Sequence, residues 1–366
     1  MDFITLLNRL NSDGVFQAIA ANPFAQFGTP QRSYVGAEIL PERFTNENSY
    51  TESLIRYRTV VANDSPRFSP IIKKGGLGYV GEMKVETGTQ TIAVELNGRE
   101  LDAVIQQVNR GQVASVAEFI SRWSDLHVNR ALLEKTELQR FQALVNASVV
   151  RVGANGYGET IAYTNPAGHR VAAGGDWTDD AYDPMDDIVA QTQLLKSKGY
   201  NVTRILTSSA VVSTLTRNAK VAARTATLQV TGAGTLAVSG GFASVNSVNQ
   251  MLQSNGLPII EVYDAVTRNE AGDIIRFLDE DVMLFVSDAG LDPAEFRYED
   301  ETRVVSFPLG YTAIGRVAGQ MDAGRFISAE GKAGYPPRIE FEGAQESLPV
   351  ILEPEAIAVI NSITLA

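Results

Sequence analysis

Asp176, Asp179, Asp180, Asp183, Asp186 and Asp187 crowd one short stretch of this chain, GGDWTDDAYDPMDDIVAQ. Carboxylate oxygens at that density are the ligands that calcium and magnesium prefer, so the chemistry they could support is cation binding or metal-assisted hydrolysis. Their order does not fit a calcium loop, which needs a central glycine and a bidentate glutamate at its twelfth position. His127 and His169 are the only histidines. Neither has the neighbouring serine and carboxylate that would make it a catalytic base. Gly76-Leu77-Gly78-Tyr79-Val80-Gly81 has the spacing of a dinucleotide-binding turn. Such a turn must open a helix, whereas the following GEMKVETGTQTIAVEL reads as strand and turn, so the glycines suit a hairpin tip. No catalytic, cofactor or metal residue is assigned, and the chain reads as a protein other than an enzyme. A metal-dependent enzyme built on the Asp176–Asp187 cluster stands as the lesser alternative.

The elements around these residues give the aspartates a plainer role. Asp183 can cap a helix that begins at Pro184, and Asp186 and Asp187 place negative charge at the positive end of its dipole. Upstream, Phe3, Ile4, Leu7 and Leu10 have helical spacing, but Asn22-Pro23 and Gly28-Thr29-Pro30 end any helix early and leave an extended arm. From Arg56 to Leu96 the pattern is extended, with Ile92, Val94 and Leu96 alternating as in a strand. A two-stranded hairpin so lean in core residues needs another surface to lie on. Its cations Arg56, Arg58, Arg67, Lys73 and Lys74 keep it soluble and discourage wrong edge pairing.

Between about Val113 and Ala147 the residues Val116, Phe119, Ile120, Trp123, His127, Leu138, Phe141 and Val145 predict one spine helix, about 50 Å long if continuous. His127 falls on its apolar stripe. Thr160–Tyr163 and His169–Ala172 then flank Asn165-Pro166-Ala167-Gly168 as a predicted hairpin, with His169 in the loop. A compact α/β unit with a mixed sheet follows the acidic stretch. It comprises helices at 184–198, 208–223 and 243–254, strands at 203–207, 259–263, 274–278 and 282–286, and a turn at Asn269–Gly272. RVVSF, RIEFEG and SLPVILEPEAIAVINSI return the chain to β structure.

Composition bounds the function. The 366 residues are 44% hydrophobic, enough for a substantial core, and the net charge of −12 is opposite to that of a duplex-DNA binder. With no cysteine there is no disulfide, thiolate metal site or cysteine nucleophile. The N-terminus lacks the pattern of a secretory signal, and no apolar run reaches the roughly 20 residues that span a bilayer.

The order of parts resembles the lambda-type major capsid protein of tailed phages, the protein E family with the Hong Kong ninety-seven type fold. The likeness is carried by Gly174, Gly175, Asp176, Trp177, Tyr182, Asp183, Pro184, Asp186, Asp187 and Ile188. There the family also places a glycine pair, a tryptophan and a Tyr-Asp-Pro-x-Asp-Asp-Ile run before a helix. Gly78-Tyr79-Val80 with Val85, and SLPVILEPEAIAVI, are similar to its returning loop strand and C-terminal run.

That resemblance implies an α+β fold: an N-terminal arm (1–45), an extended loop (46–105), a peripheral domain with the spine helix (106–182 and 300–354), and an inserted α/β axial domain (183–299 and 355–366). It also implies a coat protein that forms hexamers and pentamers in an icosahedral head around double-stranded DNA, with no cofactor. The implied partners are a separate scaffold protein, a portal and a decoration protein, and DNA enclosed without sequence-specific binding; no membrane is involved. Assembly would take place in the host cytoplasm and end in the virion. Arg56, Arg58, Lys73 and Lys74 are the candidates to meet Asp176, Asp179, Asp183, Asp186 or Asp187 of an adjacent subunit. An encapsulin-like shell around protein cargo shares the fold and is the nearer alternative.

Overall fold

A computed structural model describes residues 34–55, 79–96, 102, 106, 110, 113–153, 158–225, 228–230, 236–238, 244–269, 271–287, 294–298, 301–305, 309–332 and 338–365. The N-terminal helical pattern, Arg56, Arg58, Arg67, Lys73, Lys74 and the Gly76–Gly78 turn lie outside them. In chain order the strands are β1 (Glu42–Phe44), β2 (Ser49–Ile55), β3 (Tyr79–Glu86), β4 (Gly88–Leu96), β5 (Ser148–Val152), β6 (Gly158–Ala162), β7 (Arg170–Ala172), β8 (Arg204–Thr207), β9 (Leu228–Val230) and β10 (Leu236–Val238). They continue as β11 (Ile260–Val262), β12 (Val266–Arg268), β13 (Ile274–Arg276), β14 (Met283–Val286), β15 (Ala294–Tyr298), β16 (Glu301–Val305), β17 (Gly310–Ile314), β18 (Phe326–Lys332), β19 (Arg338–Ile351) and β20 (Ile357–Asn361). Two compact units emerge. The first takes residues up to 52, 83–140 and 311–350, and the second takes 53–82, 141–310 and 351–366.

The first unit is built on β19. Along RIEFEG burial alternates, with Ile339, Phe341 and Gly343 inward, and from Gln345 onward every residue is buried, as in a strand covered on both faces. RIEFEG and SLPVI therefore form one continuous strand. β18 and β4 both run antiparallel to it, β17 adjoins it, and β1 pairs in parallel with β17. β2 and β3 form a separate two-stranded ribbon.

The spine helix runs from Val113 to Asn146 with one π turn, Asp125–Asn129, inside it. A π turn inserts a residue, so everything beyond it rotates by about 100° relative to a regular 3.6-residue period. His127, expected on the apolar stripe, is instead exposed and rests on Trp123, with ring centroids 4.4 Å apart. Phe119 is also exposed, while Val128 and Leu132 are buried. The π turn lies where the helix crosses β19, and a Cβ at Gly343 would overlap Val128 Cγ1.

In the second unit the mixed sheet runs β11-β8-β14-β20-β7. β8 is parallel to β11, β14 is antiparallel to both β8 and β20, and β20 is parallel to β7. The Pro184–Ser197 helix contacts β20. The single helix expected over 208–223 is instead two, Ser209–Arg217 and Ala219–Thr225. Asn218 breaks it with an extended backbone and caps the second helix by accepting from the amides of Lys220 (2.9 Å) and Val221 (3.3 Å).

The expected hairpin around Asn165–Gly168 is also corrected. The chain does turn there, with Gly168 at φ 78°, but β6 pairs with β5 and β7 pairs with β20. His169 consequently lies in no exposed loop. Its ring is buried, with Nδ1 2.8 Å from the carbonyl of Ile357, and its own carbonyl accepts from Val359 (2.7 Å). The Asn269–Gly272 turn forms as expected between β12 and β13, with Gly272 at φ 88°.

Candidate assembly elements

The acidic junction begins as a loop held to its own helix. Asp187, in the first turn, has one oxygen that accepts from Trp177 Nε1 (2.9 Å) and the Gly174 amide (3.1 Å), and another that accepts from the Tyr182 hydroxyl (2.7 Å). Trp177 is wholly buried. Burial and then the Asp187 bond push the Tyr182 phenol up to about 12, because ionising it would place a second negative charge beside the carboxylate. The glycine pair follows from the same packing. A Cβ at Gly174 would lie 2.5 Å from the Tyr182 hydroxyl, and one at Gly175 would lie 2.6 Å from its ring.

The other aspartates are engaged nearby. Asp183 caps the helix by accepting from Met185 (3.1 Å) and pairs with Arg224 (2.5 Å), which also reaches Asp186 (3.4 Å). Asp179 accepts from the Ala181 amide and Asp180 from the Ala219 amide. Asp176 accepts from the hydroxyl and amide of Thr178, which hold its carboxyl below the usual carboxylate range. Asn218 Nδ2 donates to the carbonyls of Trp177, Asp179 and Tyr182, tying the loop to the helix pair beside it. The carboxylates thus face amides, hydroxyls and a guanidinium. Among the described residues no group of three or more His, Asp or Glu side chains is placed to hold a metal ion.

A second charged cluster escaped the sequence reading. Glu137 and Arg140 are buried on the spine helix, 3.2 Å apart. Glu137 also accepts from the Gly36 amide (2.7 Å), where no side chain would fit. Arg140 reaches Thr312 Oγ1 (2.8 Å) and Glu42 (3.2 Å), and Glu42 is shared with Arg325. Gln345 accepts from Arg325 Nε (2.5 Å) and donates to Thr136 Oγ1 (2.7 Å). This network joins the start of the described chain to the spine helix, β17 and β19. The local sequence hides it, because Thr136, Glu137 and Arg140 stand among Glu134, Lys135, Gln139 and Gln142 in a largely polar helix.

The glycine-rich motif is settled by its second half. Tyr79–Glu86 is a strand, so no helix N-terminus follows the turn to meet a pyrophosphate.

Residues 83–299 match the model of the family described as phage major capsid protein E. The chain belongs to that family. A major capsid protein is a structural component of the phage head, not an enzyme; its copies self-assemble into the capsid shell, and its place is the virion capsid. Two solved structures share the capsid protein's fold. A protein from E. coli CFT073 described as the capsid protein of a prophage aligns at TM-score 0.56 and 13% identity, covering 97% of this chain and 98% of that one. A phage-related protein of Bordetella bronchiseptica RB50 aligns at TM-score 0.50 and 13% identity, with 97% and 98% covered. No curated protein matches the sequence. No described helix of the capsid protein is long and apolar enough to cross a membrane.

Proposed function

We propose that copies of this chain assemble as hexamers and pentamers into an icosahedral head that encloses double-stranded phage DNA. The match of residues 83–299 to the capsid family carries this reading. Residues 1–45 serve as the N-terminal arm and 46–105 as the extended loop. Residues 106–182 and 300–354 form the peripheral domain, and 183–299 with 355–366 the axial domain. Assembly takes place in the host cytoplasm with a separate scaffold protein, a portal and a decoration protein. The net charge of −12 suits a container through which phosphates must slide.

The two-stranded β2–β3 ribbon supports the proposed lattice contact, since a lone pair of strands is marginal until it lies on another surface. It brackets the stretch of sequence that carries Arg56, Arg58, Lys73 and Lys74. These cations meet the junction of a neighbouring subunit, chiefly at Asp176, Asp179 and Asp186, which are exposed. Asp183 and Asp187 contribute less, because their oxygens already serve partners within the chain. Each exposed pair contributes about 0–1 kcal/mol, so the contact sets register more than affinity. Reversing Lys73 and Lys74 to glutamate should lower shell yield, and reversing Asp176 and Asp179 to lysine in the same chain should restore part of it. Unchanged yield in the first variant would remove this contact from the account.

A further inference from the structure

Among the described residues β2 pairs only with β3 in the sheet topology, yet its root is fixed to the β17 region by side chains. Asn48 mimics a strand partner. Its Nδ2 donates to the Arg316 carbonyl (2.8 Å), and its Oδ1 accepts from the Arg316 amide (2.7 Å). The Asn48 carbonyl accepts from the Thr87 amide (2.9 Å) at the returning end of the ribbon, and the Thr87 hydroxyl lies 3.0 Å from Glu346 on β19. The position between β17 and Arg316 has to be glycine for space alone. A Cβ at Gly315 would lie 2.7 Å from both Asn48 Oδ1 and Thr87 Oγ1.

A second contact lies two and four residues further along β2. The Tyr311 hydroxyl donates to Glu52 (2.7 Å) and lies 2.8 Å from the Tyr50 hydroxyl, while Arg43 stands over the Tyr311 ring, 4.9 Å from its centroid. Tyr311 is buried.

We infer that Asn48 and Tyr311 are positioning residues forming a two-point latch that fixes the root of the β2–β3 ribbon, Ser49–Glu52 and Met83–Glu86, before any neighbouring subunit is present. A segment ordered in advance loses less conformational entropy when it docks, so the latch favours assembly without touching the neighbour. A latch of side-chain hydrogen bonds can also open while the sheet beneath it stays closed, because local opening needs far less free energy than global unfolding. Its consequence for assembly rests on the capsid reading above; the latch itself does not.

The test is amide hydrogen exchange on the purified, unassembled full-length chain, comparing wild type with Asn48→Ala and Tyr311→Phe. Each variant should speed exchange in β2 and β3 by about tenfold, the loss expected for one or two hydrogen bonds. The amides of β14 and β20 should keep their wild-type rates. Tyr311→Phe keeps the ring and its packing, so it gives the same information if Asn48→Ala does not fold. Unchanged β2 and β3 rates in the folded variants would overturn the latch, as would a uniform rise across both units, which would mark a general stability role. Wild-type chain that forms no shells even when produced with the neighbouring phage genes would sink the capsid reading while leaving the exchange result intact.

Discussion

The acidic junction and the spine-helix cluster both gather charge, but they balance it over very different distances along the chain. At the junction Asp187 finds Trp177 ten residues away and Tyr182 five away, and Asp183 caps its own helix. On the spine Arg140 finds Thr312, 172 residues away, and Glu42, 98 away, while Gln345 meets Thr136 across 209. The junction can form with its own helix and the short pair beside it. The spine cluster exists only once the arm, the helix and the sheet of the first unit have come together. Damage at the junction should therefore stay local, and damage at the spine should spread through that unit.

Removing Arg140 is the most severe way to challenge that contrast. Arg140→Ala leaves Glu137 buried without its cation, and the expected loss is about 3–5 kcal/mol in denaturant unfolding. Exchange should accelerate across β17, β19 and the Gly36 region together. A loss below about 1 kcal/mol would mean the cluster contributes little to the unit.

Asp187→Ala comes next. It leaves the Trp177 and Gly174 N–H groups and the Tyr182 hydroxyl without their acceptor, and should cost about 1.5–3 kcal/mol. Trp177 emission should shift to the red as the loop admits water, while β17 and β19 keep their protection. Spread of the effect into those strands would break the distinction between the two regions.

The smallest effect is on alkaline stability. The folded-state phenol of Tyr182 is raised to about 12, above the ordinary value of 10.0, so its contribution is fully present below pH 10 and is lost as pH rises from 10 to 12. A tyrosinate absorbance difference between wild type and Tyr182→Phe should titrate near pH 12. A midpoint near 10 would show that the Asp187 bond is absent in solution.

The same contrast explains what could be seen in the sequence. Asp183-Pro184 is a local signal, and the helix begins there as expected, because a cap needs only the next two residues. In the mixed sheet of the second unit β8, β11 and β14 were also legible, whereas the strand expected at 274–278 pairs with β12 outside that sheet. The helix break at Asn218 was hidden, since it depends on carbonyls of Trp177, Asp179 and Tyr182 some forty residues upstream. β7 was assigned to the wrong partner for the same reason: its true neighbour, β20, lies near the other end of the chain. His127 was placed on the wrong face together with Phe119: the buried face runs through Ile120, Ser124 and Val128, one residue away from the expected stripe. Glu137 and Arg140 look like an ordinary exposed helical pair until their distant partners are known.

Electron microscopy of the chain produced with and without the neighbouring phage genes tests the central claim most directly. Closed shells or hexameric sheets are the expected result. A protein that stays monomeric under both conditions would contradict it.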